Sequence, residues 1–413
     1  MDATPQPLNM DALRAQFPLL QAQAEQGRVY LDNAATAQKP QAMLDAQRHF
    51  YQQQNSNVHR AAHQLAAEAT QAFEQARQQV AAFLNAARAE EIIWTRGATE
   101  AINLVANSYA ASQLQAGDEI LISVLEHHAN IVPWQLLAAR QGLVLKAIPL
   151  DQTSGELDLQ QGLAMIGPRT KLLALSQMSN VLGYQPQLAP LIAAARQQGA
   201  AVLLDGTQAV VHGPVDVQAL DCDFYVCSAH KLYGPTGLGV LYGRYALLEQ
   251  MPPWQGGGEM IESVSLSAGS RFQPPPLRFE AGTPAIAEVI SFAASLSYWQ
   301  SLPRTALWQH EQRLFQRLLA GCRALADVRL PACYQLQQPN SILAMSFRDA
   351  HPQDIGTLLD MQGYAVRVGH HCAMPLLQAL NCNGLLRVSL AFYNTEAEVD
   401  GFLQALERAL TEF

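Results

Sequence analysis

The sequence predicts an α/β protein built on a large, mostly parallel sheet that helices cover on both faces. Three observations carry this. Seven short apolar or β-branched runs (91–95, 119–124, 144–149, 171–176, 201–205, 223–228 and 239–242) alternate with longer Ala-, Gln- and Leu-rich stretches. Alternation of this kind gives βαβ units. The chain has 413 residues, 49% hydrophobic and 15% charged, enough for a large core and two or three domains. Finally, the polar residues suited to chemistry follow the ends of the apolar runs, where open α/β sheets bind ligands.

Taken in order, residues 1–29 form an N-terminal segment expected to pack on a small domain. Residues 30–280 form the large domain, with helices expected at 99–112, 130–140 and 189–198 between the strands. The Gln-rich patches Gln52–Gln54 and Gln71–Gln79 fall in helical patterns and read as solvated faces. A loop-rich stretch, 252–284, holds Gly256-Gly257-Gly258 and Pro274-Pro275-Pro276 and leads out of that domain. A helical stretch at 285–326 and a mixed α/β tail at 341–413 then build the smaller domain, 281–413.

Composition excludes several classes. The formal net charge is -9, and no Lys/Arg run is dense enough to track a phosphate backbone, so no nucleic-acid partner is expected. No apolar stretch has the roughly 18 residues that span a bilayer, so no membrane partner is expected. Met1–Leu20 lacks the basic and apolar regions of a secretory signal. Six cysteines without a CxxC pair do not make a disulfide framework, which points to a reducing cytoplasm.

Five segments carry candidate chemistry. In the first, an apolar strand ends at Ser228, and His230 and Lys231 follow before a Gly/Pro loop. A lysine so placed can lose its proton near apolar or positive groups and attack an aldehyde, although a surface lysine explains the segment equally well. In the second, a strand ends at Asp205, followed by Gln208. A pyridoxal 5′-phosphate (PLP) enzyme needs an anion beside the pyridine nitrogen and a donor near the ring hydroxyl, while a plain helix cap needs only the aspartate. In the third, Gly97, Ala98 and Thr99 open a helix after a strand. Their N–H groups and the Thr99 hydroxyl suit a phosphate, or simple capping.

The fourth segment is Glu126-His127-His128-Ala129-Asn130, also after a strand. An imidazole there can stack on a flat ring. A metal pair is disfavoured, because adjacent histidines do not share a helical face and no carboxylate has ligand spacing. The fifth holds Arg367, His370, His371 and Cys372, with Arg387 beyond. A thiol in a polar, His-flanked loop is placed to react, and an Arg fork suits a carboxylate. The other five cysteines lack such neighbours and read as small apolar residues. A zinc site at His370–Cys372 lacks a fourth ligand. Gly237-Leu238-Gly239 precedes a strand and is discounted as a dinucleotide fingerprint.

Taken together, these segments resemble the fold-type I PLP enzymes of the class V aminotransferase family, and within it the group II cysteine desulfurases, which include selenocysteine lyase-like members. The resemblance runs from Val29–Thr36 to the C-terminal helix. It covers Asn57–Arg60, Arg96–Glu100, Glu126–Asn130, Gln177–Asn180, Asp205–Gln208, Ser228–Lys231, Glu280–Pro284 and Gly369–Ala373. It implies that Lys231 holds PLP as a Schiff base, His127 stacks on the ring, Asp205 pairs with the pyridine nitrogen and Gln208 with the ring hydroxyl. Thr99, Ser228, His230 and the Ala98 N–H take the phosphate, with Thr283 reaching it from the second subunit of a homodimer. Asn180, Arg367, Arg387 and His59 bind substrate, and Cys372 takes the sulfur as a persulfide. The substrate implied is L-cysteine, with L-selenocysteine beside it, and the partner a small sulfur-acceptor protein. Ala98 stands where many relatives have Thr, and Thr207 where many have Ala. Only four residues separate Arg367 from Cys372, and Pro375 and a helix at 376–380 follow. So short a loop is expected to keep Cys372 near the cofactor and shielded from solvent.

Overall fold

A computed structural model describes residues 8–60, 62–336 and 341–413. Residues 1–7 of the expected N-terminal segment therefore lie outside the described residues. Each of the seven predicted runs forms a strand: β1 (Ile92–Thr95), β2 (Glu119–Ser123), β3 (Val144–Ile148), β4 (Thr170–Ser176), β5 (Ala201–Asp205), β6 (Phe224–Ser228) and β7 (Gly239–Gly243). They make one seven-stranded sheet in the order β1-β7-β6-β5-β4-β2-β3. β7 runs antiparallel to both neighbours, and the other pairs are parallel. Every residue of β1, β2, β5, β6 and β7 is buried. Continuous burial of this kind is what helices on both faces impose, and it explains the unbroken apolar runs.

Local chemistry sets the helix ends. Asn85 closes helix Gln64–Leu84 in the left-handed conformation, which Asn tolerates better than most residues. Thr395 and Glu398 form a capping box at the start of helix Glu396–Leu410. β7 approaches the turn after β1 so closely that a Cβ on Gly239 would lie 2.4 Å from the Gly97 Cα. Only glycine fits there.

The stretch 252–284 holds more than the expected loop. Strands β8 (Ile261–Ser265) and β9 (Gly269–Phe272) pair as a hairpin in which nearly every residue is exposed. With no core face, the hairpin has no apolar alternation to reveal it. Helix Ile286–Ser301 packs on helices Gln41–His49 and Gln64–Leu84. Further on, β10 (Val328–Arg329), β11 (Ile342–Phe347), β12 (Arg367–Gly369) and β13 (Leu385–Ser389) form a second sheet in the order β10-β11-β13-β12. The N-terminal segment joins it: Val29–Tyr30 pairs with Tyr364–Ala365, and Asp32 bridges to Ser389. No helix among the described residues is long and apolar enough to cross a membrane.

Candidate active site

The carboxyl ends of β2, β4, β5 and β6 converge on a cavity of about 210 Å³, which the β12–β13 side closes. Asp205 ends β5 and Ser228 ends β6, on neighbouring parallel strands. Lys231 follows in a short 3₁₀ turn. Ala98, Thr99, His127, Asn180, Asp205, Gln208, Ser228, His230, Lys231, Arg367, Cys372 and Arg387 all border this one space.

The lysine is tuned by its surroundings. Burial, helped by the nearby Arg387 charge and opposed by Asp205, brings the Lys231 amine down to about 8. An amine so shifted is neutral in a useful fraction near neutral pH. Burial and the Lys231 charge bring His127 down to about 4, so its ring is uncharged. The His127 Nδ1 accepts from the Ala129 N–H at 3.1 Å, which fixes its turn. Glu126 anchors the same loop to the sheet. Its buried carboxylate accepts from Ser123 Oγ (2.5 Å), Ser176 N (3.0 Å), Ser176 Oγ (2.6 Å) and Asn130 Nδ2 (2.7 Å).

One end of the cavity suits an anion. The helix that begins at Ala98 follows Gly97, and the Ala98 N–H donates to Ser228 Oγ at 2.9 Å. At the other end Arg387 is nearly fully buried. Its Nη2 donates to Asp32 Oδ1 at 2.8 Å and its Nη1 to the Asn180 carbonyl at 2.9 Å, while its Nε is buried without a partner. Arg367 lies 3.8 Å from the other Asp32 oxygen.

Several assignments resolve differently from expectation. The Gln208 amide nitrogen, expected to serve a ring hydroxyl, donates to the Ala34 carbonyl at 2.9 Å, although the residue still borders the cavity. Asn180 Nδ2 is spent on the His371 carbonyl at 2.8 Å. His59 does not border the cavity of its own chain. Its Nε2 lies 3.0 Å from Glu74, because the helix that carries Glu74 packs beside it. Thr283 is exposed and outside this cavity, the placement that its assignment to the second subunit's site requires. Cys372 borders the cavity as expected of a short loop, yet it is exposed where shielding was expected. Its turn is a rim of the cavity and not a plug in it. Of the other cysteines, four are buried and Cys382 is half-buried, and burial pushes the buried thiols up to about 12.

Sequence reasoning gave no role to Asp32, Lys39, Glu126 or His128. Asp32 pairs with both arginines. Lys39 Nζ donates to the His230 carbonyl at 2.8 Å, next to Lys231. Asp32 stands inside the Val29–Thr36 motif, so its signal was visible. Lys39 had none, because the contact that brings it to the site, the His230 carbonyl, is remote in sequence.

A protein-family model described as aminotransferase class-V matches residues 29–402. The chain belongs to this family. A protein of Vibrio cholerae named "probable cysteine desulfurase" is 51% identical over 406 residues, covering 98% of this chain and 99% of that one. A cysteine desulfurase of Klebsiella pneumoniae is 50% identical over 401 residues, covering 97% and 98%. The crystal structure of the cysteine desulfurase CsdA (S-sulfonic acid) from Escherichia coli superposes with a TM-score of 0.91 at 44% identity, covering 99% of this chain and 100% of that one. The fold is thus the α/β fold of the class-V PLP-dependent enzymes, and PLP is the family's cofactor. The cavity fits that group. It offers a buried lysine held toward its neutral form, a carboxylate at a strand end, and a helix start at which Thr99 and Ser228 border the space. The Thr207 Oγ1 is also buried there without a protein partner.

Proposed function

We propose that the chain is a cysteine desulfurase that converts L-cysteine to L-alanine, holds the sulfur as a persulfide on Cys372 and passes it to a small acceptor protein. The single observation that supports this most is that Lys231 and Cys372 border one cavity, with two arginines beside them. PLP, when bound, supplies an electron sink for the substrate Cα. Lys231 would carry it and then take the Cα proton as a neutral amine. Asp205 would keep the ring nitrogen protonated, and the uncharged His127 would cover the ring. Arg387 and Arg367 would orient the substrate carboxylate. The Cys372 thiolate would attack the substrate sulfur. An S–S bond forms, the Cβ–S bond breaks, and the electron pair passes to the carbon, which is then protonated to alanine.

Several finer readings accompany this one. Six free thiols suit a reducing, cytoplasmic setting. L-Selenocysteine suits the same site, since a C–Se bond cleaves more readily. The sulfur would feed iron–sulfur cluster assembly or another sulfur-trafficking pathway. The Cys372 turn has little reach, so the acceptor would bring its own thiol to the exposed rim. An assay of alanine with and without candidate acceptors should show slow basal turnover and marked stimulation. The enzyme should sediment as a homodimer, with Thr283 completing the partner's phosphate site. An active, cofactor-loaded monomer would refute that arrangement.

The deciding experiment is Cys372→Ala in the presence of L-cysteine and a reductant. The variant should keep the visible absorbance of bound cofactor and lose alanine formation. Near-normal alanine production would place the nucleophile elsewhere.

A further inference from the structure

The turn that carries Cys372 has a costly backbone. His371 and Cys372 have successive φ angles of 51° and 56°. Residues with a Cβ avoid this left-handed region, and two in a row persist only where the surroundings over-determine them. Three contacts hold the approach to the turn. Asn180 Nδ2 donates to the His371 carbonyl at 2.8 Å. His371 Nε2 lies 3.0 Å from the Leu385 carbonyl. The Ala373 N–H donates to the His370 carbonyl at 2.9 Å.

The remaining two contacts come from one residue on the opposite wall. The His128 N–H donates to the Cys372 carbonyl at 2.7 Å. The His128 Nε2 accepts from the Met374 N–H at 3.0 Å. His128 therefore holds the chain leaving Cys372 at two points, the Cys372 carbonyl and the Met374 N–H. Any residue would supply the first contact, but only a side chain with an acceptor at that reach supplies the second. To accept at Nε2, the neutral ring must carry its proton on Nδ1. Burial and the neighbouring His370 hold its pKa below the ordinary value, which favours that neutral ring.

The place of His128 in the chain adds to this. It directly follows His127, on the loop that Glu126 fixes to β2 and β4. One rigid loop thus presents a ring to the cavity through His127 and an acceptor to the nucleophile's turn through His128.

We infer that His128 is a positioning residue for Cys372, its imidazole being the acceptor that holds the sulfur-accepting turn against the cofactor-facing loop. This rests on the reading of Cys372 as the nucleophile. A nucleophile displaced by an ångström loses much of its rate without any loss of substrate binding.

The test compares wild type, His128→Leu, His128→Gln and Cys372→Ala, all loaded with PLP. Hydrogen exchange at the Met374 amide reports the contact without reference to activity. In His128→Leu that amide should exchange about five- to tenfold faster, the size of one lost hydrogen bond. Its kcat for alanine formation should fall about tenfold or more, with KM for cysteine within about twofold. His128→Gln carries an amide oxygen of similar reach and should recover most of both. Retained cofactor absorbance checks the fold, and His128→Ala carries the same test if leucine disrupts the loop. Wild-type exchange and kcat in His128→Leu would overturn the inference, as would equal defects in the Leu and Gln variants. An active Cys372→Ala would instead defeat the reading of Cys372 as the nucleophile, on which the inference rests. An inert Cys372→Ala beside a wild-type-like His128→Leu would defeat only the role of His128.

Discussion

A lysine amine attacks an aldehyde only after it has lost its proton, and burial brings Lys231 to about 8. The sign follows directly. Below pH 8 the charged form dominates, and the reactive fraction falls about tenfold per pH unit. Covalent uptake of PLP by the apoenzyme should therefore speed up with pH to about 8 and level off above it. Stopped-flow absorbance measures this, and a rate flat between pH 6 and 8 would contradict the shift. Lys231, Asp205 and Cys372 were legible because each sits just past a strong local pattern. Lys39 was not, because the His230 carbonyl that ties it to the site lies 191 positions away. His128 was read only as the neighbour of His127, since nothing in the sequence places Met374 against its ring. His59 lies outside the cavity of its own chain, and its ring meets Glu74 on the helix beside it.

At the scale of elements, strand ends and one tight crossing build the anion end of the cavity. A Cβ on Gly239 would strike the Gly97 backbone, and Gly97 directly precedes the Ala98 N–H. Gly239→Ala should cost about 1–3 kcal/mol of stability and weaken PLP binding. Gly256→Ala, with nothing within 4 Å of the added carbon, should stay within about 0.5 kcal/mol of wild type. Thermal melts and a PLP titration of both variants check the pair, and equal behaviour would refute the crossing's role. Most of the sheet strands were readable because burial on both faces leaves an unbroken apolar signature, and the edge strand β3, only partly buried, by its Val, Leu and Ile. The β8–β9 hairpin was not, because Ile261–Ser265 and Gly269–Phe272 bury almost nothing.

Across the whole molecule, Asp32 joins the start of the chain to the second sheet. Its carboxylate meets Arg387 at 2.8 Å, and Arg387 has little water to turn to. Asp32→Ala leaves that guanidinium without its counter-charge, and should cost about 2–4 kcal/mol. It should also raise KM for cysteine, because the fork loses the group that aims it. Denaturant midpoints and steady-state kinetics read the two effects separately. Unchanged values in both would show that the Asn180 carbonyl alone suffices.

The same joint has a consequence for how the protein is made. Asn33 donates to the Ser389 carbonyl, 356 positions further on. A ribosome adds about 5–20 residues per second, so Asn33 waits on the order of 20–70 s for that partner. Through most of this interval the large sheet can assemble, but Asp32 lacks Arg387 and the cavity lacks a wall. A nascent chain halted before Leu385 would hold Lys231 and Asp205 yet no Arg387. Its site is finished only once residues 385–389 emerge, which leaves Asp32 and Asn33, made long before, among the last to find their place.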